Sequence, residues 1–151
     1  MNKRIKKKRI RLKNKQLCER YPFLISRNVW TGKIIKNNYD YTQLDEFPKG
    51  WLKAFGYQML EEIREDCIEH DYLDKLIVFQ IKEKFGGLRF YTGPIPKDSK
   101  IFEIINKYED LSYNYCMICG KEGKLYNDGW MSTLCKKHAK KFGYKGVTNG
   151  I

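Results

Sequence analysis

Four side chains near the C-terminal end constrain this chain more than any other feature. Cys116 and Cys119 form one close pair, and Cys135 and His138 form a second, in the pattern Cys-x2-Cys-x15-Cys-x2-His. A two-residue gap folded into a tight knuckle brings both members of a pair to one point, and two such pairs supply four soft or borderline donors. That is the donor set of a tetrahedral zinc site. Gly120 stands directly after the first pair, where such a turn needs a residue free of steric limits. The 15-residue gap suits a short β-hairpin turning at Asn127-Asp128-Gly129, and Cys135 and His138 open a basic helix, KKHAKKF. Knuckle, hairpin and helix together predict a zinc-ribbon or treble-clef module. Four protein ligands leave no open position, so the expected cofactor is one structural Zn2+ rather than a catalytic ion. The bland alternative is a set of unrelated reduced thiols with a surface histidine. A redox Cys-x2-Cys would leave the second pair without a role.

Upstream, the pattern is that of a small α+β core. Trp51, Phe55, Met59, Ile63 and Cys67 recur every four residues, flanked by Leu52, Leu60 and Ile68, which predicts a core-facing helix over 51–70. Glu61, Glu62, Glu65, Asp66 and Glu69 fall on much of its other face and read as a solvated acidic surface. LIVFQIK (76–82) and LRFYT (88–92) predict a β-hairpin, with Gly86-Gly87 supplying the positive φ values of its turn. Ser99 is a candidate N-cap for a second helix over 99–113, with Ile101, Ile104, Ile105, Tyr108 and Leu111 as its apolar stripe. Residues 21–50 carry Pro22, Gly32 and Pro48 and read as irregular chain packed down by Phe23, Leu24, Trp30 and the tyrosines. The expected organisation is a basic arm over 1–20, disordered or loosely helical, an α+β core over 21–113, and a docked zinc module over 114–151.

Charge is concentrated at the two ends. Residues 1–20 carry ten basic groups against one acidic, and residues 116–151 carry seven against two, while residues 21–115 are close to neutral at 13 against 15. Cationic clusters attract polyanions without reading sequence. Candidate phosphate contacts are Lys6, Lys7, Lys8, Arg9, Arg11 and Lys13 in the arm, and Lys136, Lys137, Lys140 and Lys141 in the zinc-module helix. Tyr126, Trp130 and Tyr144 are candidates for stacking on bases. No apolar run is long enough to span a membrane, and no apolar stretch follows the N-terminal charges, so a cytoplasmic protein with reduced cysteines is expected.

Nothing in the sequence assembles a reaction centre. His138 is committed to the metal, and His70 falls at a helix end. Phe85-Gly86-Gly87 lacks the lysine and hydroxyl of a phosphate loop. The expectation is a non-enzymatic protein with no small-molecule substrate.

IKEKFGGLRFYTG, a helix, CMICG and then GWMSTLCKKH together resemble a pattern found in uncharacterised proteins of bacteria and their phages. In these a KFGGLRFY-type hairpin precedes a Cys-x2-Cys…Cys-x2-His zinc site. YPFLISRNVWTGK with FPKGWLKAFGYQMLEEIRE looks like the prophage-associated members from Gram-positive hosts. The resemblance covers about residues 18–140. It implies a mobile-element origin, zinc at the four positions named and no known reaction, and it does not account for the lysine-rich segment 1–17. Two functions follow as expectations. One is an accessory protein that binds DNA or RNA through phosphate contacts. The other is an interaction module that binds a host enzyme, defence system or ribonucleoprotein.

Overall fold

The computed structural model describes residues 2–36 and 39–146. Helix α1 spans Lys3–Arg20, so the segment expected to be disordered or loosely helical is regular along its length. Its cationic side chains repel one another, but tertiary partners oppose that. Asn2 caps the start by accepting the Arg4 N–H at 3.0 Å. Arg11 binds Asp40 at 2.7 Å, with Lys7 at 3.6 Å from the same carboxylate. The Asn14 amide donates to the Tyr39 carbonyl at 2.8 Å, and Cys18 is buried. At the C-terminal end Glu61 accepts a two-pronged Arg20 bond (2.6 and 2.8 Å) and the Tyr21 hydroxyl, while Arg64 donates to the Arg20 carbonyl at 3.0 Å. Apart from the Asn2 cap, none of these partners is local in sequence.

Of the stretch 21–50 expected to be irregular, the described residues up to Pro48 are so apart from a single 3-10 turn, Pro22–Leu24, and Phe23, Leu24, Leu44 and Phe47 lie in the core. Trp30 is not among the packing residues: it is 91% exposed at the tip of a turn whose N–H groups are held by the Asn28 side chain.

A continuous helical stretch follows. It comprises α2 (Lys49–Trp51), a π-helical stretch (Leu52–Gly56) and α3 (Tyr57–Glu69). The five-residue ladder from Trp51 to Cys67 is buried throughout. A strict four-residue spacing drifts by about 40° per step on an ideal α-helix, and a wider π turn takes up part of that drift. Helix α3 closes with Asp71 in the left-handed region (φ 50°) and the Tyr72 N–H on the Cys67 carbonyl at 2.8 Å, a Schellman cap. Ile68, expected beside the apolar face, is half exposed.

The acidic face of α3 is not a solvated surface. Glu61 holds α1. Glu62 accepts from Lys107 (2.5 Å) and Tyr108 (2.7 Å). Asp66 is buried and accepts from the Ser99 hydroxyl (2.6 Å) and the Lys100 N–H (2.9 Å). Only Glu65 and Glu69 face water. Helix α4 (Ile101–Ser112) is therefore capped jointly, since Ser99 accepts the Ile101 N–H at 3.2 Å while Asp66 takes the N–H before it. Its apolar stripe lies on α3 and on the hairpin.

That hairpin pairs β1 (Val78–Lys84) with β2 (Gly87–Thr92), with one extra residue between Val78 and Gln80. Lys84 pairs with Gly87, so the turn is Phe85-Gly86, with φ of 53° and 79°. The positive φ values thus fall one residue earlier than expected, in a type I′ turn that matches the twist of the strands. The outer N–H groups of β2 are satisfied from α4: Leu88 donates to Ser112 Oγ (2.9 Å) and Phe90 to Glu109 (3.0 Å). A second antiparallel hairpin, β3 (Lys124–Asn127) with β4 (Met131–Leu134), and helix α5 (Lys136–Lys141) complete a mixed α+β fold. No helix among the described residues is long and apolar enough to cross a membrane.

Candidate metal centre

Helix α4 runs into the knuckle with no linker. The Cys116 N–H donates to the Lys121 carbonyl (2.7 Å) and the Gly120 N–H to the Cys116 carbonyl (2.8 Å), closing a loop in which Gly120 takes φ 77°. This turn points Cys116 and Cys119 to one side. Strand β4 ends at Leu134, Cys135 starts the α5 turn, and the Ala139 N–H on the Cys135 carbonyl (2.9 Å) places His138 over it.

The structure brings all four sequence-predicted ligand residues together. Cys116 Sγ lies 3.5 Å from His138 Nδ1, Cys135 Sγ lies 3.2 Å from the same nitrogen, and Cys119 Sγ lies 3.8 Å from Cys135 Sγ. All four donor atoms fall within 4.8 Å of one another. A tetrahedron with metal–sulfur bonds of about 2.3 Å and a metal–nitrogen bond of about 2.0 Å has S···S edges of about 3.8 Å and S···N edges of about 3.5 Å. The donor set therefore fits a four-coordinate ion, with Nδ1 as the imidazole donor. Cys116 is fully buried and the other three are half-buried.

The thiols are unequal before any ion binds. Burial pushes the Cys116 thiol up, against hydrogen bonds from the backbone amides of Cys135, Cys119 and Ile118. Burial also acts to raise Cys135, but the His138 backbone N–H and ring, with Cys119 and Cys116, outweigh it and bring the thiol down to about 6. A site with one thiol biased to thiolate near neutral pH is suited to metal capture. The two remaining cysteines are unlike these. Burial holds Cys18 at about 11 and Cys67 at about 12, the inert thiols that an apolar setting produces.

Around the cluster, hydrogen bonds tie the module to the rest of the fold. The Gly50 N–H donates to the Met117 carbonyl (2.9 Å), Trp51 Nε1 to the Tyr115 carbonyl (2.7 Å), and Thr133 Oγ1 to the Gly86 carbonyl (2.6 Å). Knuckle and second hairpin are thus bonded to α2 and to the tip of the first hairpin. These contacts give the first hairpin, whose role the sequence does not show, a place as a support for the second hairpin. The Phe142 ring stacks on the His138 imidazole, with centroids 6.3 Å apart.

The candidate phosphate contacts are more varied. Lys6, Lys8, Arg9 and Lys13 lie exposed on α1, while Lys7 and Arg11 are turned to Asp40. Lys136, Lys137, Lys140 and Lys141 are exposed on α5 around the ligand His138. Of the stacking candidates only Trp130 is open, at 71% exposure. Tyr126 is buried against Tyr144, whose hydroxyl donates to Ser132 Oγ (3.0 Å). Tyr126 is the one buried residue of β3, whose burial does not alternate, so no periodicity in the sequence marked it. Asp66, Glu69 and His70 form a second cluster of donors. The Asp66 oxygens are already taken by Ser99 and Lys100, and His70 Nδ1 sits 2.8 Å from the Asp66 carbonyl oxygen, so this cluster is a helix-end network. No protein-family model, curated protein or solved structure matches the chain.

Proposed function

We propose that the four-residue cluster holds one structural zinc ion and that the chain is a non-enzymatic accessory protein that binds nucleic acid through phosphate contacts. The observation that carries this reading is the arrangement of α5. Its ligand His138 is fixed by the site, and Lys136, Lys137, Lys140 and Lys141 are exposed around it. A metal-anchored cationic surface offers phosphate contacts at little cost in ordering. Helix α1 adds Lys6, Lys8 and Lys13 on a scaffold clamped to the core. The order of knuckle, hairpin and ligand-bearing helix supports a treble-clef-like module, and the resemblance to phage and prophage proteins belongs to this same reading. Zinc, when bound, supplies a rigid cross-link between knuckle and helix, and the chemistry asked of the residues is positioning alone.

The test is salt-dependent binding of labelled DNA and RNA by the full chain and by a variant with all four α5 lysines changed to glutamine. The expected outcome is affinity that falls steeply with salt, and a variant whose slope is reduced by roughly 0.7–0.9 for each phosphate contact removed. Salt-independent or absent binding by the full chain would contradict the reading. The alternative, a module that binds a host protein or ribonucleoprotein, is favoured by the tip at Val29-Trp30, which presents apolar surface to solvent.

A further inference from the structure

A groove of about 420 Å³ lies on the metal module. Its apolar lining includes Ile118, Trp130, Leu134, Phe142 and Tyr144, and the Asp128 carboxylate stands at its edge. Three of these side chains are unusually open for their size: Trp130 at 71%, Phe142 at 53% and Ile118 at 44%. They are not loose. Phe142 rests on the His138 ring, Ile118 lies between the two knuckle cysteines, and Tyr144 is tied to Ser132. The one charged group in the lining is the Asp128 carboxylate, and the lysines of α5 stand beside the groove. Lys141 Nζ lies 6.0 Å from the Phe142 ring centroid, and the Lys145 N–H donates to Asp128, which turns that carboxylate toward the backbone. The whole segment 116–151 carries seven basic groups against two acidic.

Building on the nucleic-acid reading, we propose that this groove takes an unstacked base of single-stranded DNA or RNA. The exposed lysines of α5, with Lys141 nearest the groove, select an anionic chain, and the open aromatic rings select a flat, π-faced group carried on it. An unpaired nucleotide offers both in one residue. A duplex offers the phosphates but keeps its base faces stacked, so it reaches the lysines and not Trp130. The metal ligand His138 supports the Phe142 ring from behind, which preorganises the apolar surface before a strand arrives.

The experiment is an anisotropy titration of labelled oligothymidylate, oligouridylate and a mixed-sequence duplex over a range of salt. The proteins are wild type, Trp130→Ala, Lys141→Ala, and Trp30→Ala as an exposed-tryptophan control. Trp130→Ala is expected to weaken both single strands roughly tenfold with an unchanged salt slope, and to leave the duplex unaffected. Lys141→Ala is expected to lower the slope for all three ligands, and Trp30→Ala to change nothing. Circular dichroism and metal content of the variants establish that they are folded. Wild-type affinity for single strands in Trp130→Ala, or an equal loss on duplex, would overturn this proposal while leaving phosphate binding in place. Absence of binding to any of the three by the wild type would overturn both. A dimer seen by sedimentation and abolished by Trp130→Ala, with nucleic-acid binding intact, would assign the groove to a second copy of the chain and equally overturn it.

Discussion

Gly50, in the first turn of the long helix, and Gly120, in the metal knuckle, meet backbone to backbone. A β-carbon on Gly120 would lie 2.6 Å from the Gly50 carbonyl oxygen, and one on Gly50 would strike the Cys116 carbonyl, Met117 and the Gly120 nitrogen. The two elements approach this closely because neither residue carries a side chain there. The Gly50 N–H bond to Met117 then fixes their register.

Gly50→Ala should accordingly act on both halves of the molecule. No flexible side chain can yield, because the obstructing atoms are backbone. The expected loss is about 1–3 kcal/mol of stability, as in overpacked cores. Metal retention against a competing chelator should fall with it. Thermal melting and chelator competition check this, and wild-type behaviour in both would show that helix and knuckle are not mechanically joined.

Helix α1 should be released by acid. The hydrogen-bonded Arg11 guanidinium holds Asp40 below the ordinary carboxylate range, and Arg20 followed by Tyr21 holds Glu61 below it. A carboxylate whose folded pKa is depressed contributes stability that is present above its unfolded pKa, about 4, and is lost as pH falls through the folded value. Hydrogen exchange of α1 amides, compared with α4 amides in the same sample, should therefore speed up below about pH 4. The double variant Asp40→Asn, Glu61→Gln should show weakened α1 protection already at neutral pH. Equal protection in variant and wild type there would contradict the clamp.

Phe85 sits in the left-handed region at φ 53° and is 62% exposed. Such a conformation costs a non-glycine residue about 1–2 kcal/mol. Lys84 Nζ, 5.4 Å from the ring centroid, returns about 0.5 kcal/mol at an exposed site. Asparagine tolerates this region better, so Phe85→Asn should raise stability by roughly 0.5–1 kcal/mol in urea unfolding. A loss of stability would mean that the ring packs in a way its exposure does not suggest.

The features legible in the sequence were those with short-range signatures. The four candidate ligands stood at a spacing that a knuckle and a helix turn bring together. The ladder from Trp51 to Cys67 marked the buried helix, and β-prone runs marked the first hairpin. What escaped was set by distant partners. The lysine-rich segment looks disordered alone, because its stabilising groups, Asp40 and Glu61, are far along the chain. The same distance hid the roles of Glu61, Glu62 and Asp66, which read as surface charge until Arg20, Lys107 and Ser99 were placed beside them. Type I′ geometry put positive φ on Phe85, where Gly86-Gly87 looked the better fit. Tyr126 and Trp130 are both aromatic and opposite in exposure, because Tyr126 lies in β3 against Tyr144 while Trp130 lies in the turn before β4.

The zinc ion proposed at Cys116, Cys119, Cys135 and His138 can be counted directly. Protein purified without a metal-affinity step should contain about one zinc per chain. X-ray absorption should give three sulfur neighbours at about 2.3 Å and one nitrogen at about 2.0 Å. Chelation or Cys135→Ser should free β3 and β4 amides to exchange and disturb Trp51, whose indole donates to the Tyr115 carbonyl. A metal content near zero in zinc-replete expression, with Cys116, Cys119 and Cys135 all reacting freely in the native protein, would contradict the account.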